Sequence, residues 1–91
     1  MGSRAVNLET LRKRIDEIDA DVVRILNERA RTAVEIGREK KRRGMPVVDA
    51  AREDEVLDRV RKLNGGPLGD ADIQAIYRSV LEASARIQKD E

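Results

Sequence analysis

The sequence predicts an all-α fold of three helices, one very long and two shorter, joined with a second copy in an intertwined helical homodimer. Three observations carry the helical part. Apolar residues recur at steps of three and four along most of the 91 residues, the repeat of an amphipathic helix. The breakers gather in two stretches, "GMPVVD" and "NGGPLGDAD", which leaves three uninterrupted segments. Tyr77 is the sole aromatic residue, so any core is built from Leu, Ile, Val and Ala, which suits packed helices better than a sheet.

The first helix is marked by Leu8, Leu11, Ile15, Ile18, Val22 and Ile25/Leu26. Asn7 is a fitting N-cap, and no proline intervenes before Pro46, with Gly44 as the stop. The helix is expected from about 8 to 43, which is roughly 54 Å at ~1.5 Å per residue. A compact monomer of this size has a diameter of about 30 Å. The short remainder of the chain cannot cover so long an apolar stripe. A homodimer with antiparallel, intertwined long helices follows as the expectation. Residues 1–7 are expected to be a disordered or vector-derived start, ahead of one helical domain over 8–91.

The second helix starts after "GMPVVD", with Asp49 as N-cap and Val56/Leu57, Val60 and Leu63 as its apolar face. "NGGPLGDAD" ends it. The third helix begins at about Asp70 and keeps Ile73, Ile76/Tyr77, Val80/Leu81, Ser84 and Ile87/Gln88 in register.

Composition removes several function classes. Charged residues make up 41% of the chain, yet the net charge is only +1. A nucleic-acid module shows a stronger basic excess. The run "REKKRRG" is interrupted by Glu39 and lies where cations suit the C-terminal end of a helix dipole, so it reads as a solvated helix end. No nucleic-acid partner is expected. Cysteine and histidine are both absent, which excludes a disulfide framework, a Cys- or His-ligated metal and every Ser-His or Cys-His nucleophile. No metal or cofactor is expected. No apolar run nears the ~20 residues needed to span a bilayer, and no signal-peptide core is present, so a cytoplasmic location without membrane contact is expected.

The polar residues on the apolar stripes point further. Beyond Ile25 the stripe of the first helix passes through Arg29, Ala33, Ile36/Gly37 and Lys40. Arg29 and Lys40 are eleven residues apart and share a face, ~16 Å apart along the axis. Ala33 and Gly37 between them leave room for something small. In the second helix Arg52 and Glu53 each precede an apolar residue by one turn. In the third, Ser84 and Gln88 lie on the line of Tyr77 and Val80/Leu81. Buried unpaired charge is expensive. Two accounts meet that cost: internal salt bridges such as Arg29 to Glu53, helped by side chains that reach out to solvent, or a pocket for a small polyanion such as a dicarboxylate.

These residues carry a family resemblance. "LRKRIDEID", "ILNERARTAVEIGREK", "PVVDAAREDEVL" and the Ser84-to-Gln88 spacing together resemble the all-helical chorismate mutases of the AroQ class, from about Leu8 to Gln88. The loop "NGGPLGDADIQ" is similar to that of chorismate mutase domains fused to bacterial DAHP synthases. The resemblance implies a substrate site for chorismate. In it, Arg12 of "LRKRI" reaches into the partner subunit's site, and Arg29 of "NERAR" grips a substrate carboxylate. Lys40 of "GREKK" lies beside the ether oxygen and a carboxylate. Asp49, Arg52 and Glu53 of "DAARE" form the group at the start of the second helix, with acids for the substrate hydroxyl. Ser84 of "EASAR" and Gln88 of "RIQKD" complete the set, and Gln88 donates to the ether oxygen. Lys40, Gln88 and Arg29 are thus the expected catalytic residues, and the others bind substrate.

The implied reaction, chorismate to prephenate on the route to Phe and Tyr, is an intramolecular rearrangement with no protein nucleophile and no proton transfer. That fits a chain without His or Cys. The sequence leaves three other readings open: a chorismate- or prephenate-sensing regulatory domain of a fused or associated DAHP synthase, an isochorismate-pyruvate lyase on the same fold, and a purely structural helical dimer.

Overall fold

The computed structural model describes residues 7–90, and these form three α-helices joined by two short linkers. They are α1 (Leu8–Arg43), α2 (Ala50–Leu63) and α3 (Asp70–Lys89). Of the seven-residue start expected to lack structure, residues 1–6 lie outside the described residues. Asn7 is part of the fold: its side-chain oxygen accepts from the Glu9 amide at 2.8 Å and its carbonyl accepts from the Leu11 amide, so it caps α1.

Each boundary has a local cause. Gly44 ends α1 with a left-handed φ of 68°. Its amide reaches the Lys41 carbonyl, and the Met45 amide reaches the Lys40 carbonyl at 2.8 Å. That pair of bonds is the Schellman pattern, which satisfies carbonyls the helix would otherwise orphan, and it favours glycine at the left-handed position. Asp49 opens α2: its carboxylate accepts from the Arg52 amide at 3.1 Å. A cap of this type is worth ~1 kcal/mol. α3 has no side-chain cap at Gly69, but Asp70 and Asp72 place negative charge in its first turn, where the helix dipole favours it.

The turn between α2 and α3 is organised by one side chain. The Asn64 Nδ2 donates to the Leu68 carbonyl and to the Asp70 carboxylate, both at 2.8 Å, while Oδ1 accepts from the Gly66 amide at 3.1 Å. Asn64 thereby ties the end of α2 to the start of α3.

The chain divides into two compact units, one up to Arg31 and one from Thr32 onward. In the first, α1 carries Leu8, Leu11, Ile15, Ile18, Val22, Ile25 and Leu26 on its surface, between 43% and 59% exposed. In the second, α2 and α3 pack together, and the remainder of α1 supplies Ala33 and Gly37 as buried positions. Val56 is the buried apolar residue of α2, with Leu57 and Val60 half-buried beside it. On α3, Ile73, Tyr77, Val80 and Leu81 are half-buried. The Gln74 Nε2 donates to the Leu57 carbonyl at 3.1 Å and adds a polar tie between α2 and α3.

Surface charges pair locally along the helices. Arg24 bonds Glu28, Arg42 and Arg43 both engage Glu39, and Arg61 and Lys62 both engage Asp58. The hydrogen bonds from Arg61 and Lys62 hold the Asp58 carboxyl below the ordinary carboxylate range, and Asp58 in turn raises Arg61. The basic end of α1 is therefore partly neutralised by its own helix, as the interruption by Glu39 suggested. Among the described residues no helix is long and apolar enough to cross a membrane.

Candidate functional site

Four of the expected residues are half-buried in the unit from Thr32 onward: Lys40, Glu53, Ser84 and Gln88. The contact between α1 and α3 that places Gln88 is at Gly37. A Cβ built on Gly37 would stand 3.0 Å from the Gln88 Cγ, 3.1 Å from its Cβ and 3.2 Å from its Cα. Gln88 thus lies directly over Gly37. Lys40 is three residues on, the next turn of the same α1 face. A glycine inside a helix costs about 1 kcal/mol relative to alanine, and φ at Gly37 is not in the left-handed region that would require one. Close approach of α3 is the reason for it.

Of the two polar side chains, Lys40 is oriented by a hydrogen bond. The Lys40 Nζ donates to the Val47 carbonyl at 2.8 Å in a partly buried setting. One of the three ammonium donors is thereby fixed to the α1–α2 linker, and the head group keeps two for other acceptors. The Gln88 Oε1 is buried and has no hydrogen-bond partner among the described residues. A buried acceptor left unmatched carries a desolvation cost of about 1–3 kcal/mol.

The group at the start of α2 divides. Asp49 is exposed and occupied as the α2 cap, and Glu53 on the next turn is half-buried. Arg52 differs from the inward position read from its spacing. It is exposed, its guanidinium 3.4 Å from the Glu55 carboxylate one turn along α2. Arg52 sits one turn before Val56, but its long side chain lies outward along the surface of α2 toward Glu55.

In the unit up to Arg31, Arg29 is half-buried and Arg12 exposed. Arg12 lies on an open surface of α1 with Glu9, Lys13, Ile15 and Asp16. The two arginines are seventeen residues apart on one helix, about 25 Å along its axis and pointing in directions about 100° apart. One small ligand cannot touch both within a single chain.

Sequence reasoning missed the Val47 carbonyl as the acceptor that holds Lys40. A backbone carbonyl in a linker leaves no trace in side-chain patterning. Among the described residues no group of three or more His, Cys, Asp or Glu side chains is arranged to hold a metal ion. The half-buried set consists of a cation, an amide, a hydroxyl and a carboxylate, which can orient and polarise an anionic ligand.

Comparison with known proteins agrees in a single direction. The family model described as chorismate mutase type II matches residues 11–89. The chain is 34% identical over 83 residues to a chorismate mutase of Methanocaldococcus jannaschii, covering 90% of this chain and 84% of that one. It is 36% identical over 86 residues to a bifunctional chorismate mutase/prephenate dehydratase of Aquifex aeolicus, covering 90% of this chain but 24% of that protein. The chain therefore spans about a quarter of the length of that bifunctional relative. Among solved structures, a chorismate mutase from Thermus thermophilus (form II) superposes with a TM-score of 0.88 at 33% identity, covering 90% of this chain and 93% of that chain.

Proposed function

The chain belongs to the type II chorismate mutase family, and from that premise we propose that it converts chorismate to prephenate in a site shared between two copies of the chain. The observation that carries the proposal is the placement of Lys40 and Gln88 around the Gly37 contact, both half-buried and both able to donate.

The reaction asks two things of a protein. One carbon–oxygen bond breaks as one carbon–carbon bond forms within the same molecule, so no group enters or leaves. The enolpyruvyl arm has to be held over the ring, which replaces conformational freedom by preorganisation. Negative charge growing on the ether oxygen has to be met by fixed donors. In this reading Lys40 and Gln88 face the ether oxygen. Lys40 is well suited, because its bond to the Val47 carbonyl orients the ammonium before substrate arrives. Arg29 and the partner subunit's Arg12 fix the substrate carboxylates, where paired guanidinium–carboxylate bonds give direction as well as attraction. Arg52 joins them by turning from its surface pairing with Glu55. Asp49 and Glu53 meet the substrate hydroxyl, and Ser84 adds a further polar contact.

A homodimer follows from the same reading. Seven apolar residues of α1 between Leu8 and Leu26 are 43% to 59% exposed, and a second copy gives them cover. It also answers the separation of Arg12 from Arg29, since antiparallel α1 helices bring Arg12 of one chain to Arg29 of the other.

The test is chorismate consumption by the purified protein, with prephenate identified as product, beside an Arg29→Ala variant. Conversion lost in the variant supports the reading. A dimer that binds prephenate but converts nothing indicates a sensing domain instead.

A further inference from the structure

Gly37 makes the tightest contact a glycine makes in the described structure, and its partner is Gln88. The contact includes backbone: an added Cβ would lie 3.2 Å from the Gln88 Cα as well as 3.0 Å from Cγ. A rotamer change can withdraw Cγ. It cannot withdraw Cα, so a methyl group at 37 moves the last turns of α3 away from α1. Ala33, one turn earlier on the same face, carries its Cβ while only 5% exposed. The α1 face therefore accepts a methyl group where it is buried at 33 and excludes one opposite Gln88.

From this we infer that Gly37 is a positioning residue for the reaction. By lacking a side chain it sets how deeply Gln88 seats against α1, and hence where the Gln88 amide stands relative to the Lys40 ammonium one turn on. Both groups serve one ether oxygen in the proposed mechanism, and the inference rests on that reading of Gln88. The burial of Oε1 fits it: the amide is pressed into the contact rather than held out in solvent, and the donor for the ether oxygen is its Nε2. A misplacement of about 1 Å at a reacting centre costs on the order of a hundredfold in rate. The retreat that a methyl group forces is a fraction of that, a few tenths of an ångström, because contacts of 3.0–3.2 Å need only open to the ordinary range that begins at 3.4 Å.

The experiment is a four-member cycle on the full chain: the unaltered protein, Gly37→Ala, Gln88→Ala and the double variant, with kcat and KM for chorismate and thermal melts for each. Gly37→Ala is expected to lower kcat about three- to tenfold while KM changes by less than about threefold. In the Gln88→Ala background the same substitution is expected to change kcat by less than about twofold, because no amide is left to misplace. An equal fall in kcat in both backgrounds overturns the inference and assigns the glycine to helix spacing in general. So does a Gly37→Ala chain that fails to fold in either background, which makes the glycine a packing residue. If Gln88→Ala itself leaves kcat unchanged, the reading of Gln88 as ether-oxygen donor fails first and takes this inference with it.

Discussion

The Lys40 ammonium donates a hydrogen bond to the Val47 carbonyl at 2.8 Å. The bond joins the last turn of α1 to the linker that leads into α2. It orients the cation without neutralising it, since a carbonyl accepts a proton's hydrogen bond but carries no net charge. Removing Lys40 should therefore act mainly on the chemical step. For Lys40→Ala we expect kcat to fall by about 10²–10³, the usual effect of losing one preorganised donor to developing negative charge. Lys40→Arg should rescue little, because a planar guanidinium does not reproduce a compact ammonium. Steady-state kinetics on the two variants check this. A Lys40→Arg protein with near-normal kcat would count against the geometry.

Gln88 is uncharged at any working pH, so its donor is always present. Between about pH 5 and about pH 8, kcat should not collapse in the unaltered protein. Gln88→Glu should behave differently, because a carboxyl group donates only while protonated. Pressed against Gly37, that carboxyl would also be shifted upward by burial. The variant should be active at the acid end and lose activity as pH rises. A pH–rate profile of both proteins tests the pair of statements, and a sharp fall in the unaltered protein over that range would remove Gln88 from its role.

Asp58 governs a small part of acid stability. Its carboxyl is held below the ordinary value of 3.8 by hydrogen bonds from Arg61 and Lys62. A depressed folded pKa means that the unfolded chain takes up the proton first as pH falls. The stabilisation is therefore fully present above about pH 4 and is lost as pH falls through the folded value. The group is exposed, so the effect is small. Asp58→Asn should melt slightly below the unaltered protein at pH 7, and the gap should shrink as pH falls below the ordinary carboxylate value of 3.8. A gap that persists in acid would point to something other than the carboxylate charge. Circular-dichroism melts at pH 7 and through the acid range decide it.

Ile18 sits in the middle of the exposed apolar face of α1, 47% exposed. If a second copy covers that face, a charge there has to be buried without a partner, which costs several kcal/mol. Ile18→Glu should yield monomers by analytical ultracentrifugation and lose mutase activity with the dimer. An active monomer would contradict a shared site.

Much of this was legible in the sequence, for identifiable reasons. Both ends of α1 and the start of α2 could be read because Asn7, Gly44 and Asp49 satisfy helix termini through their own backbone or side-chain chemistry, and the structure puts all three at those positions. Gly37 was legible only in part: a glycine inside a helix has to be compensated, but the room it leaves, read as space for something small, is taken by Gln88 of α3. Arg52 was not, since spacing from Val56 states which face a residue occupies but not whether anything packs over that end of the helix. The Lys40–Val47 bond and the Asn64 turn were equally hidden, as both depend on where backbone groups of a linker come to rest.

The most direct test of the shared site is to mix two inactive proteins. Arg12→Ala and Arg29→Ala chains, each expected to be inactive alone, are unfolded together, refolded and assayed for prephenate formation. If Arg12 of one chain serves the site that contains Arg29 of the other, each mixed dimer has one intact site and one that lacks both arginines. Random pairing then restores about a quarter of the activity of the unaltered protein. A mixture that forms mixed dimers yet stays inactive contradicts the account.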